Sequence, residues 1–164
     1  MIIKQLVDED FVNYKKPSMF IIFPKCTFKC NKDCGRPVCQ NYKVLEEPNI
    51  EVSINAIVNR YLSNPITSAI VLGGLEPFDS EEELKELVFN FRDNVQDPIV
   101  IYTGYTEEEL FKNKTYKKII SLNNIIIKYG RFIPDQDNHY DDILGVKLAS
   151  SNQYAKAYNF KEEL

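Results

Sequence analysis

Residues 69–91, AIVLGGLEPFDSEEELKELVFNF, decide how this chain folds. Residues 69–72 form an apolar run that is typical of a buried strand, and two glycines end it. Residues 80–83 have the Ser-x-x-Glu spacing of a capping box, which predicts that a helix begins there. The predicted helix carries the apolar residues Leu84, Leu87, Val88 and Phe91. The stretch is therefore interpreted as one strand followed by one helix.

The same unit recurs on both sides of this stretch. Further strands are predicted at residues 19–23, 98–102 and 124–128, and further helices after Ser53 and after Thr106. Residues 106–109 repeat the capping-box pattern, and the helix after them carries Leu110 and Phe111. Strands and helices that alternate with short connections predict a mostly parallel sheet with right-handed crossovers. We expect an α/β fold, an incomplete (partial) TIM-like α/β barrel of repeated strand–helix units.

Length and composition limit the classes to which this chain can belong. Its 164 residues predict one domain over 1–164, and 44% apolar residues are enough to form an ordinary core. A net charge of −4 argues against a nucleic-acid-coating protein or a polybasic membrane-surface protein. No apolar run approaches the roughly 18 residues of a membrane span. Because the first ten residues become acidic and lack a long apolar stretch, we expect no secretory signal and a cytoplasmic protein.

All four cysteines, Cys26, Cys30, Cys34 and Cys39, lie within one short stretch. In a reducing compartment, clustered cysteines are better candidates for metal or redox work than for disulfides. Thiolates are ligands of both iron–sulfur clusters and zinc. Zinc sites usually contain a pair of cysteines separated by two residues, and this stretch has none, so zinc fits poorly. The cysteines, the Gly-Gly turn and residues 103–104 all follow strand ends, so we expect them on one rim of the sheet.

The spacing of Cys26 and Cys30 resembles the opening of the radical S-adenosylmethionine (SAM) signature. In that superfamily three cysteines hold three irons of a 4Fe–4S cluster, and the fourth iron is left for SAM. Residues 39–41, Cys-Gln-Asn, resemble the third-cysteine element of the glycyl-radical activating enzymes. The resemblance implies that Cys26, Cys30 and Cys39 are the cluster ligands. It also implies that Val38 stands in for the apolar residue before the last ligand.

The cysteine stretch departs from the usual signature in one respect. The third cysteine usually follows the second after two residues, whereas Asp33 occupies that position here and the next cysteine is Cys34. Cys34 therefore stays open as the alternative third ligand, and residues 31–38 form an enlarged loop if the ligand is Cys39. A set of three protein ligands leaves one iron free for a cofactor. Four thiolate ligands would instead indicate an electron carrier or a structural cluster protein.

Residues 73–77, Gly-Gly-Leu-Glu-Pro, resemble the Gly-Gly-Glu-Pro element of radical SAM enzymes with one leucine inserted. That family uses the element to bind the methionine amino group of SAM. The resemblance implies cofactor-binding roles for Gly73, Gly74, Glu76 and Pro77, and Glu76 is also a candidate for holding the turn. Two glycines after a buried strand let the backbone approach a ligand closely, although they are also typical of a tight turn.

Three more segments resemble the activating enzymes of anaerobic ribonucleotide reductase, in the expected order. Residues 102–105 match a Tyr-Thr-Gly-Tyr segment, and residues 149–153 resemble Gly-Ser-Ser-Asn-Gln. Residues 128–132 are similar to Val-Asp-Gly-Arg/Pro-Phe, but Lys and Tyr replace the first two residues. At the residue level, polar partners for the ribose or carboxylate of a bound nucleoside are predicted at Thr103, Gly104, Ser151 and Asn152. Each of these is also compatible with a solvated turn.

Together these resemblances imply reductive cleavage of SAM to methionine and a 5′-deoxyadenosyl radical, with no catalytic side chain. They imply as partners a glycyl-radical enzyme, above all anaerobic ribonucleotide reductase, and an electron donor such as flavodoxin or ferredoxin. Neither a nucleic acid nor a membrane is expected as a partner. A related alternative is a radical SAM protein that acts on another glycyl-radical enzyme or on a small molecule. Two alternatives from other classes are an iron–sulfur electron-transfer or cluster-binding protein without SAM cleavage and a zinc-stabilised interaction module. His139 is the only histidine and is left out of the predicted site.

Overall fold

The computed structural model describes residues 1–161, so residues 162–164 of the predicted 1–164 domain lie outside the described part. The strands are β1 (Ile2–Ile3), β2 (Gln5–Asp10), β3 (Ser18–Phe23), β4 (Ile50–Glu51), β5 (Ala69–Gly74), β6 (Ile99–Tyr102), β7 (Ile125–Tyr129), β8 (His139–Asp141), β9 (Val146–Leu148) and β10 (Tyr154–Tyr158). The helices are α1 (Lys29–Cys34), α2 (Ile54–Leu62), α3 (Glu81–Asn94), α4 (Glu107–Leu110) and α5 (Lys114–Ile120), with 3-10 helices at Tyr42–Glu46 and Pro77–Ser80. The four predicted strands are confirmed as β3, β5, β6 and β7. None of the helices in residues 1–161 has both the length and the apolar character needed to cross a bilayer.

Six strands form the main sheet, in the order β10-β7-β6-β5-β3-β2. The four central strands pair in parallel, whereas β10 runs antiparallel to β7 and β2 runs antiparallel to β3. The central strands are mostly apolar because both faces of the sheet are covered along most of their length. In the described residues, β2 and β10 stand at the two edges of an open, mixed sheet.

The two faces of the sheet are covered in different ways. Helices α2, α3 and α5 pack on one face, where Ile21, Leu72 and Ile101 are fully buried. The opposite face carries a row of residues in register across the four central strands: Phe20, Val71, Val100 and Ile126. Tyr14 and the segment around the β8–β9 hairpin pack against this row and cover part of the second face. The carboxyl ends of the strands on this face are left for the site described below.

Three helix starts were predicted and all three are confirmed, and two of the three predicted capping residues cap their helices. Ser53 caps α2, because its side chain accepts a hydrogen bond from the amide of Ala56 at 3.1 Å. Thr106 and Glu109 form the predicted capping box of α4 in both directions. The predicted helix carrying both Leu110 and Phe111 is too long, however, since α4 ends at Leu110 and Phe111 is 67% exposed.

The capping box predicted at residues 80–83 is wrong. α3 does begin at Glu81, but the Ser80 side chain makes no capping hydrogen bond. Its hydroxyl is buried and has no hydrogen-bond partner among the described residues. The physical reason is that a 3-10 helix, Pro77–Ser80, runs directly into α3. Glu76 caps this 3-10 helix by accepting a hydrogen bond from the amide of Phe78.

Candidate functional site

A cavity of about 460 Å³ lies at the carboxyl ends of β3, β5, β6 and β7, on the face opposite the helices. Its lining includes three of the four cysteines, together with Gly74, Glu76, Thr103 and Gly104. The three cysteines are Cys26, Cys30 and Cys39. The expectation that the cysteine stretch, the Gly-Gly turn and residues 103–104 share one rim is therefore confirmed. The parallel arrangement of the central strands is what brings these distant segments together.

The remaining predicted site residues lie outside the cavity lining: Cys34, Val38, Gly73, Pro77, Ser151 and Asn152. Cys34 is the last residue of α1, and Pro77 is the buried first residue of a 3-10 helix. The Ser151 hydroxyl donates to Oε1 of Gln136 at 2.8 Å, and the side-chain amide of Asn152 donates to the carbonyl of Arg131 at 2.8 Å. These contacts tie the turn before β10 to the loop after β7. A side chain farther along, Gln153, reaches the cavity instead.

Cys26 follows β3 and lies in a partly buried position. Its Sγ accepts a hydrogen bond from the amide of Phe28 at 3.2 Å. The amide of Thr27, between these two residues, donates to Oδ2 of Asp79 at 2.8 Å. Burial raises the pKa of the Cys26 thiol to about 11. A thiolate at this position therefore needs a cation beside it, and metal binding there would release a proton.

Cys30 and Cys39 are neighbours although eight residues separate them. Burial raises the pKa of the Cys30 thiol first, and the adjacent Cys39 raises it further. The Cys30 thiol, whose ionisation is disfavoured, is stabilised as a thiolate when it binds a positively charged metal centre. The donor set of Cys26, Cys30 and Cys39 on one cavity therefore fits an iron–sulfur cluster.

A single-ion site fits the described residues poorly. Within residues 1–161, no three Cys, His, Asp or Glu side chains are arranged so that they could hold one metal ion. Structural zinc needs four such ligands around a single ion. In a 4Fe–4S cluster each thiolate binds a different iron, so the cysteines line a space rather than meet at a point. The geometry therefore gives no support to the zinc-stabilised module.

The Gly-Gly turn is held close to the cysteine stretch. The side-chain amide of Asn41 donates to the carbonyl of Gly74 at 2.7 Å, which joins residues 39–41 to the end of β5. Gly74 has a φ of +86°, and a Cβ atom there would lie 2.3 Å from Cγ2 of Ile22. Only glycine fits this position, whatever ligand the cavity holds. Gly73 also lies in a tight place, because a Cβ there would lie 3.1 Å from Cβ of Tyr102.

Glu76 joins the ends of two neighbouring strands. Its side chain is 6% exposed and accepts hydrogen bonds from the Thr103 hydroxyl, the Gly104 amide and the Phe78 amide, at 2.8, 2.8 and 3.1 Å. Burial raises the pKa of this carboxyl to about 7, although the three hydrogen bonds oppose the shift. The expectation that Glu76 holds the turn is confirmed by these contacts.

The contacts of Glu76 also limit what Thr103 can offer a ligand. The Thr103 hydroxyl gives its only proton to Glu76 and accepts from the amide of Tyr105 at 3.0 Å. The Gly104 amide is used in the same way. Both residues line the cavity, but their hydrogen-bond donors hold the rim together.

Sequence reasoning missed Lys128 as a cavity residue. It lies on β7, lines the cavity and is 8% exposed. Its Nζ donates to the carbonyl of Gly130 at 2.9 Å, and burial lowers its pKa to about 8. The charged amine has further N–H groups, so an anionic group in the cavity would find a donor here. In the sequence, Lys128 stands out only because it replaces the valine of the segment that residues 128–132 resemble.

Charged side chains fasten α1 to the opposite side of the rim. Lys29 lies 3.6 Å from a carboxylate oxygen of Glu109 and stands over the ring of Tyr105 at 4.6 Å. Arg131 lies 3.2 Å from a carboxylate oxygen of Asp33 and also pairs with Glu109. These ion pairs are partly exposed, so each contributes little to stability but helps to orient α1.

Comparison with known proteins shows the family to which the chain belongs. A family model described as a 4Fe-4S single cluster domain matches residues 17–155. No curated protein matches the chain. No solved structure matches it either. The family match contains the cysteine stretch and every strand of the cavity rim, so a 4Fe–4S cluster is the supported cofactor. The chain therefore belongs to the 4Fe-4S single cluster domain family, an iron–sulfur family associated with radical SAM proteins.

Proposed function

We propose that this protein holds a 4Fe–4S cluster through Cys26, Cys30 and Cys39 and cleaves SAM reductively to methionine and a 5′-deoxyadenosyl radical. One observation carries the proposal: these three cysteines line the same cavity as the Gly-Gly turn, whereas Cys34 does not. A set of three ligands leaves a cluster iron for SAM. We further propose that the open sheet is the wall of an incomplete TIM-like barrel, with this cavity as its interior.

When bound, the cluster would supply the electron that breaks a carbon–sulfur bond of SAM. The protein's own residues would bind SAM and orient it. The end of β5 presents the Gly74 carbonyl, which already accepts from Asn41 and has a second lone pair for an ammonium group. Lys128 offers a buried positive charge to a carboxylate. Glu76 keeps the rim between β5 and β6 in one conformation through its three hydrogen bonds.

The proposed substrate is a backbone glycine of a glycyl-radical enzyme such as anaerobic ribonucleotide reductase. The resemblance of residues 102–105 and 149–153 to its activating enzymes supports this choice. Phe11 and Val12, in the loop after β2, are 64% and 74% exposed, and Val12 lines the cavity. Exposed apolar side chains at a cavity mouth are suited to contact with another protein.

The proposed electron donor is a small acidic protein such as flavodoxin or ferredoxin. Lys25, Lys32 and Arg36 are exposed on the cysteine stretch of a chain of net charge −4. Arg36 pairs with Asp135 at 3.4 Å, so Lys25 and Lys32 supply the local positive charge. Opposite charges accelerate such an encounter. All four cysteines are free of disulfides, which agrees with a reducing compartment, and we propose the cytoplasm.

The direct test is an anaerobic assay on protein reconstituted with iron and sulfide, with dithionite and SAM added and 5′-deoxyadenosine measured. We expect product from the wild type and from Cys34→Ala, and none from Cys26→Ala, Cys30→Ala or Cys39→Ala. Cys34→Ala is the matched control because it removes the same side chain from the same stretch. A full cluster without product would contradict the proposal and favour an electron-transfer protein. Product from Cys39→Ala combined with its loss in Cys34→Ala would reverse the ligand assignment.

A further inference from the structure

The segment that carries the cysteines is not anchored in a hydrophobic core. From residue 24 to residue 53 no side chain is buried, and α1 has no buried residue. Apolar packing therefore cannot determine which cysteines come together. Polar contacts must do so, and ordering such a loop costs conformational entropy that those contacts have to offset.

One side chain closes the loop between the second and the fourth cysteine. Oδ1 of Asn31, on α1, accepts hydrogen bonds from the backbone amides of Val38 and Cys39, at 2.8 and 2.9 Å. Asn31 is the residue next to Cys30, whose Sγ lies 3.9 Å from the same oxygen. A single carbonyl oxygen thus joins the start of the loop to its end and sets Cys39 beside Cys30.

Chain geometry without this contact would favour a different cysteine. Cys30 and Cys34 are four residues apart on one helix, a spacing that places two side chains on the same helix face. Cys34 is therefore the nearer partner along the chain, yet it is Cys39 that shares the cavity with Cys26 and Cys30. A specific contact is needed to overcome the local preference, and Asn31 supplies it.

We infer that Asn31 is a positioning residue that makes Cys39, and not Cys34, the third cysteine of the cluster site. The inference rests on the proposed cluster ligands but not on SAM cleavage. The role needs an acceptor oxygen that takes two amide hydrogens, so aspartate can replace asparagine and alanine cannot. Cys34 then stands ready as a substitute ligand whenever the contact is lost.

The test measures iron and sulfide per chain after anaerobic reconstitution, and the rate at which a chelator removes the iron. In Asn31→Ala we expect iron binding to become dependent on Cys34. The double variant Asn31→Ala/Cys34→Ala should lose iron roughly tenfold faster than Cys34→Ala, since two hydrogen bonds are missing. Asn31→Asp/Cys34→Ala should behave like Cys34→Ala alone. Lys32→Ala, a change at the exposed neighbour of Asn31, is the control and should leave iron retention unchanged.

Two results would overturn the inference. One is equal iron retention in Cys34→Ala and Asn31→Ala/Cys34→Ala, and the other is a loss in the Asp variant as large as in the Ala variant. Circular dichroism of the metal-free proteins shows whether each variant folds, and the absence of buried residues in α1 predicts that all do. A wild type that assembles the cluster but forms no 5′-deoxyadenosine would refute the proposed function and leave this inference standing. Normal SAM cleavage by the wild type, with iron retention unaffected in Asn31→Ala/Cys34→Ala, would support the proposed function and refute this inference.

Discussion

Replacing Glu76 by Gln should remove a specific part of the pH dependence of folding. Burial raises the pKa of Glu76 from 4.5 to about 7. The folded state therefore binds more protons than the unfolded state between these two values, and the free energy of unfolding falls as the pH rises through them. The difference between the two pKa values corresponds to about 3 kcal/mol. The stabilisation is fully present below about pH 4.5 and is lost above about pH 7.

The assay is urea unfolding of metal-free wild type and Glu76→Gln under reducing conditions, at several pH values from about 4.5 to 8. Subtracting the two curves removes the contribution of every other titrating group. We expect the wild type to lose about 3 kcal/mol more than Glu76→Gln over this range. Glu46→Gln, a change at an exposed position, is the control and should follow the wild type. Parallel curves for wild type and Glu76→Gln would refute the reasoning, because they would mean that Glu76 titrates as it does in the unfolded chain.

Two further predictions concern single residues of the rim. Gly74→Ala should lower the free energy of unfolding by about 2–3 kcal/mol, since its Cβ would lie 2.3 Å from Ile22 Cγ2 at a φ of +86°. Gly35→Ala, at a φ of +64° with open space around it, should cost only about 1 kcal/mol in the same urea titration, and equal losses would contradict the steric argument. Lys128→Met should abolish a rise in stability between about pH 8 and 10.5, because burial lowers the pKa of Lys128 to about 8 and the unfolded state then binds more protons over that range. Unfolding curves that rise equally in wild type and Lys128→Met would show that another group is responsible.

The central strands could be predicted because their apolar runs are continuous. Residues 69–72 and 125–127 are apolar at every position, as is typical of strands covered on both sides, and they lie in β5 and β7. The edge strands could not be predicted in this way. β2, Gln5–Asp10, carries three acidic residues, and β10, Tyr154–Tyr158, carries a lysine, so their pairing depends on the neighbouring strand rather than on their own composition.

Local signals for helix caps were reliable only where the capping residue has an extended backbone, although all three helices begin where predicted. Ser53 and Thr106 have extended backbones and cap their helices. Ser80 has the same sequence pattern but follows a 3-10 helix, so its backbone is not extended and its hydroxyl caps nothing. A capping box therefore depends on the backbone conformation before the helix as well as on the Ser-x-x-Glu spacing.

Part of the candidate site could also be predicted from the amino-acid sequence. Cys26, Cys30, Gly74 and Glu76 line the cavity as the order of motifs predicted. Ser151 and Asn152 do not, because their side chains are used to join two loops, and a match of residue types cannot reveal which way a turn faces.

The amino-acid sequence alone determined that this protein has alternating buried strands and helices and that four thiols lie close together in one polar stretch. Both are consequences of local order, since apolar runs and short spacings need no knowledge of distant residues. Only the tertiary structure decided that Cys39 rather than Cys34 joins the cavity, that Glu76 links β5 to β6, and that Lys128 faces the same space. These facts depend on which strands are neighbours and on a hydrogen bond across a loop. Contacts between residues far apart in the chain have no signature in local composition.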